Sequence, residues 1–295
     1  MSSTQQYLFN STHSALNVWQ CGRYALPLTQ RGRPYIMGVL NVTDDSFSDG
    51  GQFVEPAAAL ARAQEMIAAG ADILDIGGES TRPGAQPLSV CQELCRLLPI
   101  VDALKDCGVP ISIDTYKPYV MREMLALGVD IINDVCGFNN PVSIDAVADS
   151  GCGLCIMHMQ GKPQTMQEQP SYDNVVVEVA DFLALQIERM NFVGIESNRI
   201  CVDPGIGFGK TLFHNIQLIN AIEHIRQQTQ AVVLIGASRK RMIGELTGKD
   251  VAQRMAGSVA TAVYAATRGA HVVRVHDVAE TVDALNVWAA LSQQA

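Results

Sequence analysis

The strongest constraint on this chain is its rhythm. Eight short aliphatic runs recur along it: PYIMGVL (34–40), DILDI (72–76), PISI (110–113), DIIN (130–133), GLCIMH (153–158), RICVD (199–203), AVVLIG (231–236) and HVVRV (271–275). Amphipathic stretches separate them: PAAALARAQEMIAAG, VCQELCRLLPIVDALKDCG, PYVMREMLALG, VSIDAVADSG, DNVVVEVADFLALQIERMNFVG, FHNIQLINAIEHIRQQ and AQRMAGSVATAVYAATRGA. DVAETVDALNVWAALSQQ follows the last run. Near-continuous apolar runs suit strands covered on both faces, as in a parallel sheet. Helical stretches that finish at glycine, as in AAGAD, CGVP, LGVD and RGAH, fit C-terminal caps leading into the next strand. Eight strand–helix units predict an α/β chain closed as a (β/α)8 TIM barrel, a single domain over 34–295. A doubly wound open sheet is the alternative, because periodicity does not report closure. The length of 295 residues suits such a barrel, which takes about 250. Residues 1–33 form an N-terminal extension, in which ALNVWQCGRYALPL has a hairpin pattern that would plug the barrel bottom.

Composition removes several classes of function. Hydrophobic residues make up 48% of the chain and charged ones 17%, enough to bury a large core. A net charge of -9 argues against wholesale nucleic-acid binding, which needs a basic face to displace counterions. It leaves room for an anionic substrate held by a few local Arg and Lys side chains. Apolar runs such as 231–236 are far shorter than the roughly 20 residues that span a bilayer. The N-terminus, MSSTQQYLFNSTHSALNVWQ, lacks the basic and apolar regions of a secretory signal. The eight scattered cysteines read as reduced thiols of a cytoplasmic protein. Cys152 and Cys155 lie in an apolar strand-like run without a second pair, and so read as structural.

In parallel α/β folds the chemistry gathers at the carboxyl ends of the strands. Those ends carry Asn41, then Thr81 and Arg82, Asp114, Asn133 and Asp134, His158, Asp203, then Ser238, Arg239 and Lys240, and finally Arg274 and His276. Any one of them alone reads as a cap or a turn residue. A polar group at all eight ends is harder to explain structurally, because such groups cost free energy when desolvated without a partner. Asp114, Asn133 and Asp203 are acceptor-rich and suit a planar ligand edge with N–H donors. Arg82, Arg274 and His276 are donors suited to phosphate, while Ser238 and Lys240 sit close to a predicted helix start, where an anion is favoured. Together they point to a donor-rich heterocycle with a phosphorylated arm. The G-x-S-x-G nucleophile elbow and the HEXXH zinc signature are absent. ICVDPGIGFGKT (200–211) ends like an ATP-binding phosphate loop, but Pro204 occupies the place of its first glycine. The stretch reads instead as a barrel mouth. Asp203 carries the chemistry there, Phe208 offers an apolar wall, and GKT is its least informative part.

These residues fall in ordered motifs: MGVLNVTDDSFSDGG, DILDIGGESTRPGA, SIDTYKP, DIINDVCGF, IMHMQGKPQTMQ, DPGIGFGKT, GASRKRMIG and VRVHDV. Over about residues 34–290 they resemble the dihydropteroate synthase family of folate biosynthesis. The resemblance implies a barrel that joins 6-hydroxymethyl-7,8-dihydropterin pyrophosphate to p-aminobenzoate with Mg²⁺, releasing pyrophosphate. It assigns Asp114, Asn133, Asp203 and Lys240 to the pterin, with Arg274 against the ring. It assigns Asn41, Arg82, Arg274 and His276 to the pyrophosphate, with Asn41 also near the metal. Thr81, Pro83, Phe208 and Ser238 fall to p-aminobenzoate, with Phe47 closing over it. It further implies a homodimer and sensitivity to sulfonamides. Asp44 replaces the family's usual proline, Ile206 a common phenylalanine and Cys136 a common serine. The rivals are a pterin-binding methyltransferase domain, a barrel aldolase with Lys240 as a Schiff-base lysine, and a pterin-binding protein without synthase activity.

Overall fold

A computed structural model describes residues 17–29, 31–42, 56–80, 86–162 and 165–292. Among these, two strands, β1 (Val18–Cys21) and β2 (Tyr24–Pro27), pair antiparallel as a hairpin. Eight more follow: β3 (Tyr35–Asn41), β4 (Ile73–Gly77), β5 (Ile111–Asp114), β6 (Ile131–Asp134), β7 (Gly153–Met157), β8 (Ile200–Asp203), β9 (Val232–Ile235) and β10 (Val272–Val275). Each pairs in parallel with the next, and β10 pairs with both β9 and β3, so the sheet closes into a barrel. That ring of pairings excludes the open doubly wound sheet.

The strands read as continuous apolar runs because each side of the sheet has its own core. Ile36, Leu74, Ile113, Ile132, Leu154 and Val202 face the surrounding helices. Their alternates Tyr35, Met37, Ile73, Ile131, Cys155 and Cys201 belong to a separate inner cluster. Both sets are buried, so period-two patterning is erased although the side chains still alternate.

The helices are α1 (Pro56–Ala68), α2 (Val90–Leu104), α3 (Pro118–Ala126), α4 (Pro141–Val147), α5 (Val175–Phe192), α6 (Leu212–Asn220), α7 (Ile222–Thr229), α8 (Arg241–Thr247), α9 (Met255–Thr267) and α10 (Val278–Ser292). The stretch read as one helix over 213–228 is two, broken at Ala221, whose ψ of 13° leaves the helical range. The short α8, which the amphipathic pattern did not mark, follows β9 directly and stops at Gly248 in the left-handed region. No described helix is long and apolar enough to cross a membrane.

The β1–β2 hairpin forms the floor of the barrel. Trp19 and Cys21 are fully buried in the inner cluster, and the Trp19 indole donates to the Arg199 carbonyl at 3.0 Å. Gly153 opens β7 because a Cβ there would stand 2.8 Å from the Cys21 sulfur. Trp19→Ala is expected to cost about 3–5 kcal/mol, the range for deleting a buried aromatic side chain. Urea unfolding measures this, and a loss below about 1 kcal/mol would show that the floor contributes little to the barrel.

Candidate active site

The mouth of the barrel is built around one arginine. Arg274, on β10, donates from Nε to Asp75 Oδ2 at 2.6 Å and from Nη2 to Asp114 Oδ2 at 2.9 Å. Asp75, on β4, also accepts from Ser112 Oγ at 2.5 Å and from Asn133 Nδ2 at 3.3 Å. Four strands therefore share one hydrogen-bonded layer. Burial alone would favour the neutral arginine, yet Asp75 and Asp114 together raise its pKa. Burial pushes the Asp114 carboxyl up to about 7, against the pull of Arg274. The second oxygen of Asp114, Oδ1, is buried and has no partner among the described residues. An unmatched buried acceptor of this kind is costly unless a ligand donor meets it. Asn41 ends β3 beside this layer. A Cβ on Gly77 would lie 3.6 Å from Asp114 Cβ and 3.8 Å from Asn41 Oδ1, so glycine leaves room between them.

Across the mouth, Asp203 ends β8 and accepts from the Gly205 amide at 2.7 Å through Oδ1. Burial raises its pKa, while Lys240 is the strongest influence lowering it. Lys240 caps the start of α8, and its ammonium donates to the Ile206 carbonyl and lies 4.5 Å from the Phe208 ring centre. Burial lowers the Lys240 pKa to about 8, and the nearby Asp203 partly restores it.

The loop from β8 to α6 is clasped at almost every residue. Gly207 N donates to Asn215 Oδ1 at 2.8 Å, and the Gly209 carbonyl accepts from the Tyr172 hydroxyl at 2.8 Å. Gly205 and Gly209 adopt φ of +71° and +64°, and a Cβ would reach within 1.9 Å of His158 O and 2.5 Å of Gln160 O respectively. Only glycine permits both the turn and this approach. Lys210 is a residue that reading the sequence set aside. It is 3% exposed, and its ammonium meets His158 Nδ1 at 2.9 Å and the Phe208 carbonyl at 3.0 Å. Burial lowers the Lys210 pKa to about 7 and, with Lys210 adding to the effect, that of His158 to about 3. The imidazole is therefore the neutral acceptor of the pair.

On the third side, a left-handed Arg239 (φ 57°) turns its guanidinium outward onto Asp277, with Nε at 3.1 Å from Oδ2. Its neighbours Ser238 and Lys240 thereby face the mouth. Ser238 Oγ lies 3.0 Å from His276 Nδ1 and accepts from the His276 amide at 3.2 Å. Burial, then Arg274, lowers the His276 pKa to about 4, so its ring is neutral. A neutral ring still presents one N–H to a phosphate oxygen.

The structure thus brings Asn41, Asp114, Asn133, Asp203, Phe208, Ser238, Lys240, Arg274 and His276 to one end of the barrel. Phe47, Thr81, Arg82 and Pro83, and the atypical Asp44, lie outside the described residues. Asp134 faces elsewhere: its carboxylate accepts from the amides of Cys136 at 2.7 Å and Phe138 at 3.0 Å and holds the turn after β6. Cys152 and Cys155 are buried and unpaired, Cys155 within β7. Two further features were missed. Asp75 lies inside a strand rather than at its end, although a carboxylate in an apolar run was a visible signal. Glu79 accepts from Lys117 Nζ at 2.5 Å, the Tyr116 hydroxyl at 2.9 Å and the Leu88 amide at 2.8 Å. Lys117 also bonds the buried Glu93, so one ion cluster ties the end of β4 to α2 and α3.

Residues 37–276 match the model of the pterin binding enzyme family. A dihydropteroate synthase from Neisseria meningitidis serogroup C is 49% identical over 281 residues, covering 94% of this chain and 98% of that protein. The Burkholderia cenocepacia dihydropteroate synthase, crystallised with 7,8-dihydropteroate, superposes with a TM-score of 0.86 at 49% identity, covering 94% of this chain and 97% of that one. The Yersinia pestis enzyme in a sulfonamide drug complex gives 0.87 at 43% identity, over 94% of this chain and 100% of that one. With its barrel closed, its mouth polar on every side and its sequence shared along nearly the whole length of these enzymes, the chain belongs to the dihydropteroate synthase family of pterin-binding proteins.

Proposed function

We propose that this protein condenses 6-hydroxymethyl-7,8-dihydropterin pyrophosphate with p-aminobenzoate, giving 7,8-dihydropteroate and pyrophosphate. The observation that carries the reading is the buried Asp114 Oδ1, without a partner among the described residues, beside Asn133 and across the mouth from Asp203. These acceptors suit the amino and ring N–H groups of a pterin, whose outer face meets Lys240. Arg274, fixed by two carboxylates, presents a flat guanidinium against the ring. Asn41, Arg82, Arg274 and His276 hold the pyrophosphate. Phe208, Ser238, Thr81 and Pro83 receive the arylamine, with Phe47 over it.

The residues suit a reaction that needs no protein nucleophile. The C–O bond to pyrophosphate breaks first, and the electron-rich dihydropterin stabilises the methylene cation. The arylamine nitrogen then forms the new C–N bond and loses a proton. Positioning and stabilisation of the leaving group carry the rate. Bound Mg²⁺ would neutralise charge on the departing pyrophosphate. The described residues contain no cluster of three or more His, Cys, Asp or Glu able to hold an ion. A single amide oxygen from Asn41 fits Mg²⁺, which keeps waters and takes most remaining ligands from substrate phosphates.

We place the enzyme in the cytoplasm, consistent with eight free thiols, and as a homodimer. The exposed Leu246 on α8, Val251 in the turn after it and Met255 at the start of α9 favour a second copy on that side. One assay tests the activity. Pyrophosphate should appear only when the pterin pyrophosphate, p-aminobenzoate and Mg²⁺ are all present, and a sulfonamide should block it. Pterin binding without pyrophosphate release would refute the reading and leave a binding protein or a methyltransferase domain.

A further inference from the structure

The GKT triplet has no place in the activity just described, yet its lysine is among the most enclosed charges in the protein. The ammonium of Lys210 has three N–H bonds and three acceptors: His158 Nδ1 at 2.9 Å, the Phe208 carbonyl at 3.0 Å and the His158 carbonyl at 3.4 Å. A phosphate-loop lysine reaches outward to an anion, whereas this one is spent within the fold. Its acceptors lie on two separate segments, the end of β7 and the loop after β8. Gly205 and Gly209 have already brought those segments into backbone contact.

Phe208 is held on its main chain by two bonds, its amide donating to the Gly205 carbonyl at 3.1 Å and its carbonyl accepting from Lys210 at 3.0 Å. Its side chain is only partly buried, so packing alone holds it weakly. Its carbonyl is drawn inward by Lys210 while its ring stands beside the Lys240 ammonium. Without the Lys210 donor, the Phe208 carbonyl would seek another partner and carry the ring with it.

We infer that Lys210 is a positioning residue that fixes the Phe208 ring as the wall against which the arylamine lies. The inference rests on the arylamine role proposed for Phe208. The Lys210 ammonium is turned to His158 and to the Phe208 carbonyl, so it acts through the Phe208 main chain and the His158 ring.

A double-mutant cycle tests it, after wild-type pyrophosphate release has been measured. Failure of that first measurement refutes the proposed activity rather than this inference. Lys210→Met should raise KM for p-aminobenzoate about tenfold while the affinity for the pterin pyrophosphate stays within about twofold. Phe208→Ala should raise the same KM by a similar factor. In the Lys210→Met background Phe208→Ala should add almost nothing, because the ring is already out of place. His158→Phe removes one of the three acceptors but keeps an aromatic ring against Phe182 and Tyr172. It should give a smaller rise with the same loss of additivity, and it decides the matter if Lys210→Met does not fold. Multiplicative effects in the cycle would overturn the inference, as would an unchanged KM in Lys210→Met. So would a loss confined to pterin affinity, which would place the action of Lys210 on Asp203.

Discussion

Asp203→Asn is expected to weaken binding of the pterin pyrophosphate about 100-fold, near the upper end of what a hydrogen bond to a charged group contributes. The substitution keeps shape and volume, so the loss comes from bonding capacity. Asp203 Oδ1 already accepts from the Gly205 amide, and Oδ2 remains for the ligand. An asparagine has one oxygen and cannot serve both, so either the Gly205 N–H or the pterin donors would face an NH₂ group. The charge matters as well. Asp203 is the strongest influence keeping both Lys240 and Lys210 protonated against burial. Titration calorimetry with the pterin ligand measures the effect, with circular dichroism confirming the fold. Wild-type affinity in the variant would remove Asp203 from the pterin site.

Arg274→Met should cost about 3–5 kcal/mol of stability, because it leaves two enclosed carboxylates without their cation. The loss should also depend on pH. Asp114 has a folded pKa of about 7, above its value of about 4 in the unfolded chain. A carboxyl raised in this way binds more protons folded than unfolded between those two values, so its contribution to stability falls as pH rises through that window. Without Arg274 the folded pKa rises further and the penalty extends to higher pH. The gap between variant and wild type should therefore widen from pH 5 to pH 8. Urea unfolding at both values checks this, and an equal gap would mean that Arg274 acts through packing alone. The same enclosed carboxyl predicts that pterin binding by the wild type strengthens as pH rises through about 7, where Asp114 becomes a full acceptor.

Most of the site was legible because a parallel barrel sorts its residues by strand end. Asp114, Asn133, Asp203 and His276 each end or follow an apolar run, with Arg274 inside the last run two residues before His276, and eight such runs in one direction must present their ends on one face. Asp75 escaped that logic by sitting mid-strand, where its side chain points inward with Ile73 rather than upward with the loops. Lys210 escaped for a different reason. The GKT triplet resembled the tail of a phosphate loop and was set aside when that loop was ruled out, and the partner of Lys210, His158, lies 52 residues earlier in the chain. The helical break at Ala221 was hidden because it carries no Gly or Pro stop signal, and α8, although it ends at Gly248, is only seven residues long, too short to show an amphipathic period.

By itself the sequence determined the order and direction of the barrel strands, the two-sided burial that forces a parallel sheet, and the polar character of one end. Those are properties of neighbours along the chain, set by side-chain chemistry and period. Tertiary structure decided closure, the ion layer and the fate of the lysines. Closure brings Arg274 against Asp75 from 199 residues away, and only then does its charge become a buried, shared one. Desolvation is a property of everything that surrounds a group. It therefore appears only once the barrel has closed, and it turns the lysine that resembled part of an ATP loop into an internal tie between two loops of the mouth.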